Sequence, residues 1–154
     1  MIDTPKIVDT EARLTAAIHL SIPRDEMPQH FGPAVEELLS VLATQHIEPQ
    51  GAVYAYHLSM PPGMFDLEIG FIVNATVVAT GRVKASQLPA TKVARTIYRG
   101  PYEGLHGAWS EFNAWMEKEG LKKAPDLWEH YVVGPQSTGN ASEYQTELNR
   151  PLAD

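Results

Sequence analysis

The chain has 154 residues, 44% of them hydrophobic and 20% charged, a composition that folds and suits one domain with its own core. Twelve Lys and Arg against nineteen Asp and Glu give a net charge of −7, which argues against a nucleic-acid or anionic-membrane surface for want of cations to displace counterions. The absence of Cys excludes disulfides, thiolate catalysis, iron–sulfur clusters and thiolate zinc sites together. The opening Met1-Ile2-Asp3-Thr4-Pro5 lacks a charged stretch followed by an apolar core, and no apolar run approaches the roughly 20 residues of a membrane span. A cytoplasmic protein is expected.

Residues 7–22 read as a strand region, with Leu14, Ala16, Ile18 and Leu20 alternating against Thr15, Ala17 and His19. Pro23 ends it. Phe31, Val35, Leu38, Leu39 and Leu42 then recur at helical spacing, with Glu36, Glu37 and Gln45 opposite. Pro28 and Pro33 suit a first turn, so the regular helix is expected to begin near Gly32 and to stop before Pro49-Gln50-Gly51. Strands are expected near 52–59 and 65–74, separated by Met60-Pro61-Pro62-Gly63.

The second half repeats this order. Val93 to Arg99 alternates as a strand and Gly100-Pro101 breaks it. Leu105, Trp109, Phe112 and Met116 form a helical stripe, with Gly120 placed to follow the helix end. Trp128 to Val133 and Tyr144 to Asn149 read as strands around a loop at 134–140. Phe31, Ala34, Val35, Leu38 and Val41 fall on Leu105, Ala108, Trp109, Phe112 and Trp115 at a constant shift of 74. Tyr54 and Tyr56 fall on Glu129 and Tyr131 at a shift of 75, and Asp66, Glu68 and Ile69 on Gln145, Glu147 and Leu148 at 79. The expectation is a single domain over 1–154 of α+β class, a duplicated βαββ unit with pseudo-twofold symmetry. Its repeats run over about 7–74 and 93–152, with residues 75–92 as connector.

One helix per half must cover one face of its strands, and strand period sorts the rest. Phe65, Leu67 and Ile69 are expected to face the helix, with Asp66 and Glu68 opposite. Glu129, Tyr131 and Val133 share a face, as do Tyr54, Tyr56 and Leu58. Packed about a pseudo-twofold axis, such faces form a cleft carrying Tyr54, Tyr56, Tyr131 and Glu129, the aromatic walls and few polar groups of a small-molecule site. A carboxylate among rings is costly unless it takes up a proton or finds a cation, and a lipophilic cation both pairs with it and lies on the ring faces. Serving as a general base for water is the other use of such a group. Glu68 and Glu147 occupy equivalent places in the repeats, and Glu68 is kept as a site candidate. The six His show no i, i+4 pair with a ligand partner, so no metal or other cofactor is expected.

Three strings, Arg99-Gly100-Pro101-Tyr102-Glu103-Gly104-Leu105, Pro125-Asp126-Leu127-Trp128-Glu129-His130-Tyr131 and Thr146-Glu147-Leu148-Asn149-Arg150-Pro151-Leu152, together resemble the GyrI-like small-molecule-binding family. These are the effector-binding domains of AraC- and MerR-type regulators, and the resemblance runs from about Val8 to Leu152. It implies two SH2-like βαββ repeats, an antiparallel sheet with two main helices and a central ligand cleft. It also implies lipophilic and often cationic ligands, in the manner of multidrug binding, with the Glu of the Trp-Glu-x-Tyr segment, here Glu129, as buried anchor. Tyr102, in the Gly-Pro-Tyr-Glu segment, and Trp109, at the rim of the second helix, join Tyr131, Tyr54, Tyr56 and Glu68 as ligand-binding candidates.

The chain has no room for a helix-turn-helix segment, so a stand-alone ligand domain that senses or sequesters xenobiotics, without direct nucleic-acid or membrane binding, is expected. Two alternatives follow from the same resemblance. One is a hydrolase of cyclopropane-type electrophilic genotoxins in which Glu129 directs a water and Tyr131 or Tyr102 steadies an oxyanion, Glu129 and Tyr131 being the catalytic pair. The other is a protein that inhibits DNA gyrase by contact, with gyrase or a separate regulator as protein partner.

Overall fold

The computed structural model describes residues 2–59, 61–135 and 137–153. Met60 of the expected 60–63 turn and Gln136 of the expected 134–140 loop lie outside the described residues. The strands are β1 (Lys6–Asp9), β2 (Arg13–Pro23), β3 (Tyr54–Ser59), β4 (Met64–Ile72), β5 (Val83–Leu88), β6 (Lys92–Arg99), β7 (Leu127–Val133) and β8 (Gln145–Pro151). The main helices are α1 (Met27–Thr44) and α2 (Leu105–Lys118). Among the described residues no helix is long and apolar enough to cross a membrane.

All eight strands join one antiparallel sheet in the order β1-β6-β8-β7-β3-β4-β2-β5. Read outward from the β7–β3 pair, each half presents the same sequence of elements: β3, β4, β2 on one side and β7, β8, β6 on the other. The α+β class and the antiparallel sheet with two helices are therefore present as expected. The halves meet edge to edge, through hydrogen bonds between β3 and β7, and both helices lie on one face of the continuous sheet.

The helices stay on that face because their apolar stripes need cover. Ala34, Val35, Leu38 and Leu42 of α1 pack on Ala16, Ile18, Leu20, Leu67 and Ile69. Ala108, Phe112 and Met116 of α2 pack on Ala94, Tyr98 and Leu148. Each helix ends in the same pair of reversed bonds. Gly120, at φ +71°, donates to the Glu117 carbonyl and Leu121 to that of Met116; His46, at φ +58°, donates to Ala43 and Ile47 to Leu42.

Three expectations are corrected. Helix α1 begins at Met27, ahead of Gly32, with Pro28 in its first turn and Pro33 inside it. Pro33 forgoes one i→i−4 bond, and burial of the stripe beyond it keeps the helix continuous. Residues 7–22 form two strands, because the chain turns at Thr10, whose hydroxyl bonds the Pro89 and Thr91 carbonyls. Within 75–92 lies β5, pairing with β2. Only its first and last residues, Val83 and Leu88, are buried, and an odd separation puts them on opposite faces, so no alternation announces it.

Candidate functional site

A cleft of about 780 Å³ opens between the N-terminal turns of α1 and α2 on the helical face of the sheet. Met27, Pro28 and Phe31 of α1 form one wall, and Leu105, His106, Trp109, Ser110 and Asn113 of α2 form the other. The floor comes from the central strands: His57 of β3, Phe65 of β4, Leu127, Glu129 and Tyr131 of β7, and Arg150 of β8.

Strand register decides which side chains reach this floor. Ala55 lies opposite Glu129 and His57 opposite Leu127. Directly opposed residues share a face, and Ala55 belongs to the core under α1. Glu129 is therefore on the helical face, where it is 8% exposed. Its two oxygens each accept one short bond. Trp109 Nε1 donates to Oε2 at 2.6 Å and the Tyr131 hydroxyl donates to Oε1 at 2.7 Å. An indole N–H has no other option than donation, and one donor per oxygen suits the ionised carboxylate. Among the described residues no Lys, Arg or His nitrogen lies within 4 Å of it.

The Tyr131 ring meets Phe31 edge-on at 5.4 Å and Tyr102 at 5.8 Å, so one aromatic wall runs from α1 to the rim. Burial and the neighbouring Glu129 carboxylate push the Tyr131 phenol well above its ordinary value, which keeps it a neutral donor. Tyr102 is the exposed end of the wall, tilted against Tyr144 at 5.0 Å. It is held there by the turn before α2. Gly100, at φ +142°, allows the chain to reverse, and the buried Tyr98 beneath donates its hydroxyl to the Pro101 carbonyl at 2.8 Å. A Cβ at Gly104 would overlap that Tyr98 hydroxyl. The Gly-Pro-Tyr-Glu-Gly string is thus a clamp that seats Tyr102.

Glu129, Tyr131, Tyr102 and Trp109 are brought together. Tyr54, Tyr56 and Glu68 are not. Tyr54 and Tyr56 lie opposite His130 and Trp128, on the face away from the helices. Tyr54 is fully buried in a cluster with Leu88, Val93 and Trp128. The Tyr56 hydroxyl donates to Asp126 at 2.6 Å, and the Glu68 carboxylate accepts from Ser86 at 2.7 Å. The physical reason is register. Ala55 pairs with Ile69 as Glu129 pairs with Leu148, so Ala55 is the counterpart of Glu129 at a shift of 74. The shift of 75 used for the tyrosines slips the strand by one residue, and one residue reverses every side chain.

Among the floor residues that sequence reasoning missed is His57. It is 6% exposed, with its ring 4.9 Å from that of Phe65 and its Nδ1 without a hydrogen-bond partner among the described residues. Burial lowers its pKa below the ordinary value of 6.5, with Glu129 pulling the other way, so it stands neutral at pH 7. Phe31, Phe65, Arg24 and Arg150 were missed as well. For Phe31 a signal existed, since its counterpart at a shift of 74 is Leu105, and both precede the buried alanine of their helix by three residues.

A family model, the GyrI-like small molecule binding domain, matches residues 3–153. Among solved structures, the EcmrR C-terminal domain is similar with a TM-score of 0.84 and 16% identity, 98% of each chain being covered. EcmrR in its complex with DNA is 18% identical with a TM-score of 0.83 over 98% of this chain, which spans only 57% of that one. A hydrolase from Listeria innocua has a TM-score of 0.71 at 15% identity, over 97% of this chain and 91% of that one. SAV2435 bound to tetraphenylphosphonium has a TM-score of 0.68 at 11% identity, over 98% and 94%. No curated protein matches the sequence. At such identities the structures share the fold, and membership rests on the family match along nearly the whole chain: this protein belongs to the GyrI-like small-molecule-binding domains.

Proposed function

We propose that this domain captures lipophilic cations in the cleft between α1 and α2, with Glu129 as charge anchor and Trp109, Tyr131, Tyr102 and Phe31 as walls. The observation that carries this reading is the buried carboxylate held by two neutral donors and, among the described residues, by no cation within 4 Å. Two hydrogen bonds offset part of its desolvation and leave the negative charge uncompensated. A ligand that brings positive charge and apolar surface supplies the contact counter-charge that Glu129 lacks and covers the aromatic walls, and ring faces add about 0.5–2 kcal/mol for a cation. The tetraphenylphosphonium seen on SAV2435, a protein of the same fold, supports this class of ligand.

A hydrolytic use of the same pair is less well served. The Tyr131 proton is already committed to Glu129, so that phenol has none to offer a developing oxyanion. Calorimetric titration of tetraphenylphosphonium and of neutral triphenylphosphine oxide into wild type and Glu129→Gln tests the anchor. The cation is expected to lose about tenfold or more in affinity and the neutral compound about twofold or less. Equal losses, or none for the cation, would sink the anchor role.

A further inference from the structure

The cleft holds more charge than its anchor uses. Arg24 and Arg150 also line it, so apart from its histidines its formal charges are two positive and one negative. Neither guanidinium has a carboxylate within 4 Å among the described residues. Arg24 is a rim group, resting over the Phe65 ring at 5.3 Å and reaching the Met64 carbonyl. Arg150 belongs to the floor. Glu129 pairs with Leu148 and Trp128 with Asn149, which sets Arg150 beside Leu127, on the face of Glu129 and diagonal to it. Such diagonal positions lie roughly 7–8 Å apart. Its Nε donates to the Ala124 carbonyl at 3.0 Å, which fixes the stem and leaves the two terminal nitrogens of the fork. Burial holds this guanidinium below its ordinary pKa, partly offset by Asp126, as expected of a charge short of partners.

A ligand that is only cationic leaves this half-buried charge without a contact counter-ion and adds a like charge beside it. A ligand with an anionic end removes the difficulty. Resting on the reading of Glu129 as anchor, we propose that the ligands this cleft favours are amphoteric: an aromatic body with a cationic nitrogen at Glu129 and a carboxylate or similar compact oxyanion on the Arg150 fork. His57, flanking Leu127 on the other strand, is neutral at pH 7, so the polarity of the floor runs from Glu129 towards β8.

A matched pair of probes tests this: 4′-(aminomethyl)biphenyl-4-carboxylic acid and its methyl ester, titrated near neutral pH into wild type, Arg150→Gln and Glu129→Gln. Both carry the ammonium, and only the acid carries the carboxylate. In wild type the acid is expected to bind about tenfold more tightly than the ester. In Arg150→Gln that preference, read as the ratio of acid to ester affinity within the same variant, disappears. An acid no tighter than the ester in wild type, a comparison that needs no variant, overturns the proposal. So does a preference that survives Arg150→Gln. Failure of the underlying anchor looks different: an ester that does not bind, or that binds Glu129→Gln as tightly as wild type, overturns Glu129 and the amphoteric reading with it.

Discussion

His57 is a floor residue whose ionisation its surroundings resist. Burial depresses its pKa in the folded chain, and Arg24 adds to the effect. Between the unfolded value near 6.5 and the lower folded value the unfolded chain binds more protons, so stability rises with pH across that window. The contribution is complete above the unfolded value and is lost as pH falls through the window. Urea midpoints measured downward from pH 6.5 are therefore expected to fall, and His57→Gln to flatten the slope. A variant with the wild-type slope would remove His57 as its source. At this scale Glu129 was legible and His57 was not. Trp-Glu-x-Tyr places a carboxylate among rings within four consecutive residues. A lone His on a short strand acquires meaning only from the partner strand, 70 residues further along in the case of Leu127.

At the scale of elements, the helices were legible because each carries its evidence locally. The stripe through Ala34, Leu38 and Leu42 repeats as Ala108, Phe112 and Met116, and even the positive-φ residues His46 and Gly120 stand 74 apart. Strands carry less. A six-residue strand gives three positions per face, so a slip of one in aligning β3 with β7 leaves a plausible pattern and a reversed face. That slip is why the sequence alone points Tyr54 and Tyr56 to the cleft. The turn before α2 shows how a short string acquires function through packing. Gly104→Ala is expected to push against Tyr98, cost about 1–3 kcal/mol, and displace Tyr102 from the Tyr131 ring. Denaturation and tetraphenylphosphonium titration of this variant should show both losses. Wild-type stability in Gly104→Ala would mean that the turn accommodates the methyl group without Tyr98 moving.

For the whole molecule, the symmetry of the sheet explains both the cleft and the fate of its edges. Joining two βαββ units through β3 and β7 leaves the helices side by side on one face, and the gap between their first turns becomes the site. The same joining leaves β2 and β6 as outer strands of the two halves, each with a row of main-chain groups to satisfy. The first half covers β2 with β5, and the N-terminal segment runs across to cover β6. Lys6–Asp9 pair with Lys92–Arg95, Asp3 N donates to the Ile97 carbonyl at 2.9 Å, and Thr96 Oγ1 donates to the Asp3 carbonyl at 2.7 Å. Ile7 is 46% exposed, so the segment contributes hydrogen bonds more than apolar burial. Removing residues 1–9 should therefore leave the core under α1 intact and open the edge of β6. An open, partly apolar edge next to the buried Val93 and Ala94 is a template for a second chain. Light scattering during gel filtration is expected to show concentration-dependent association of the truncated chain at conditions where the full chain does not associate. A truncated chain that stays monomeric with an unchanged melting temperature would mean that β6 needs no cover, and that the N-terminal strand is there for some other reason than edge protection.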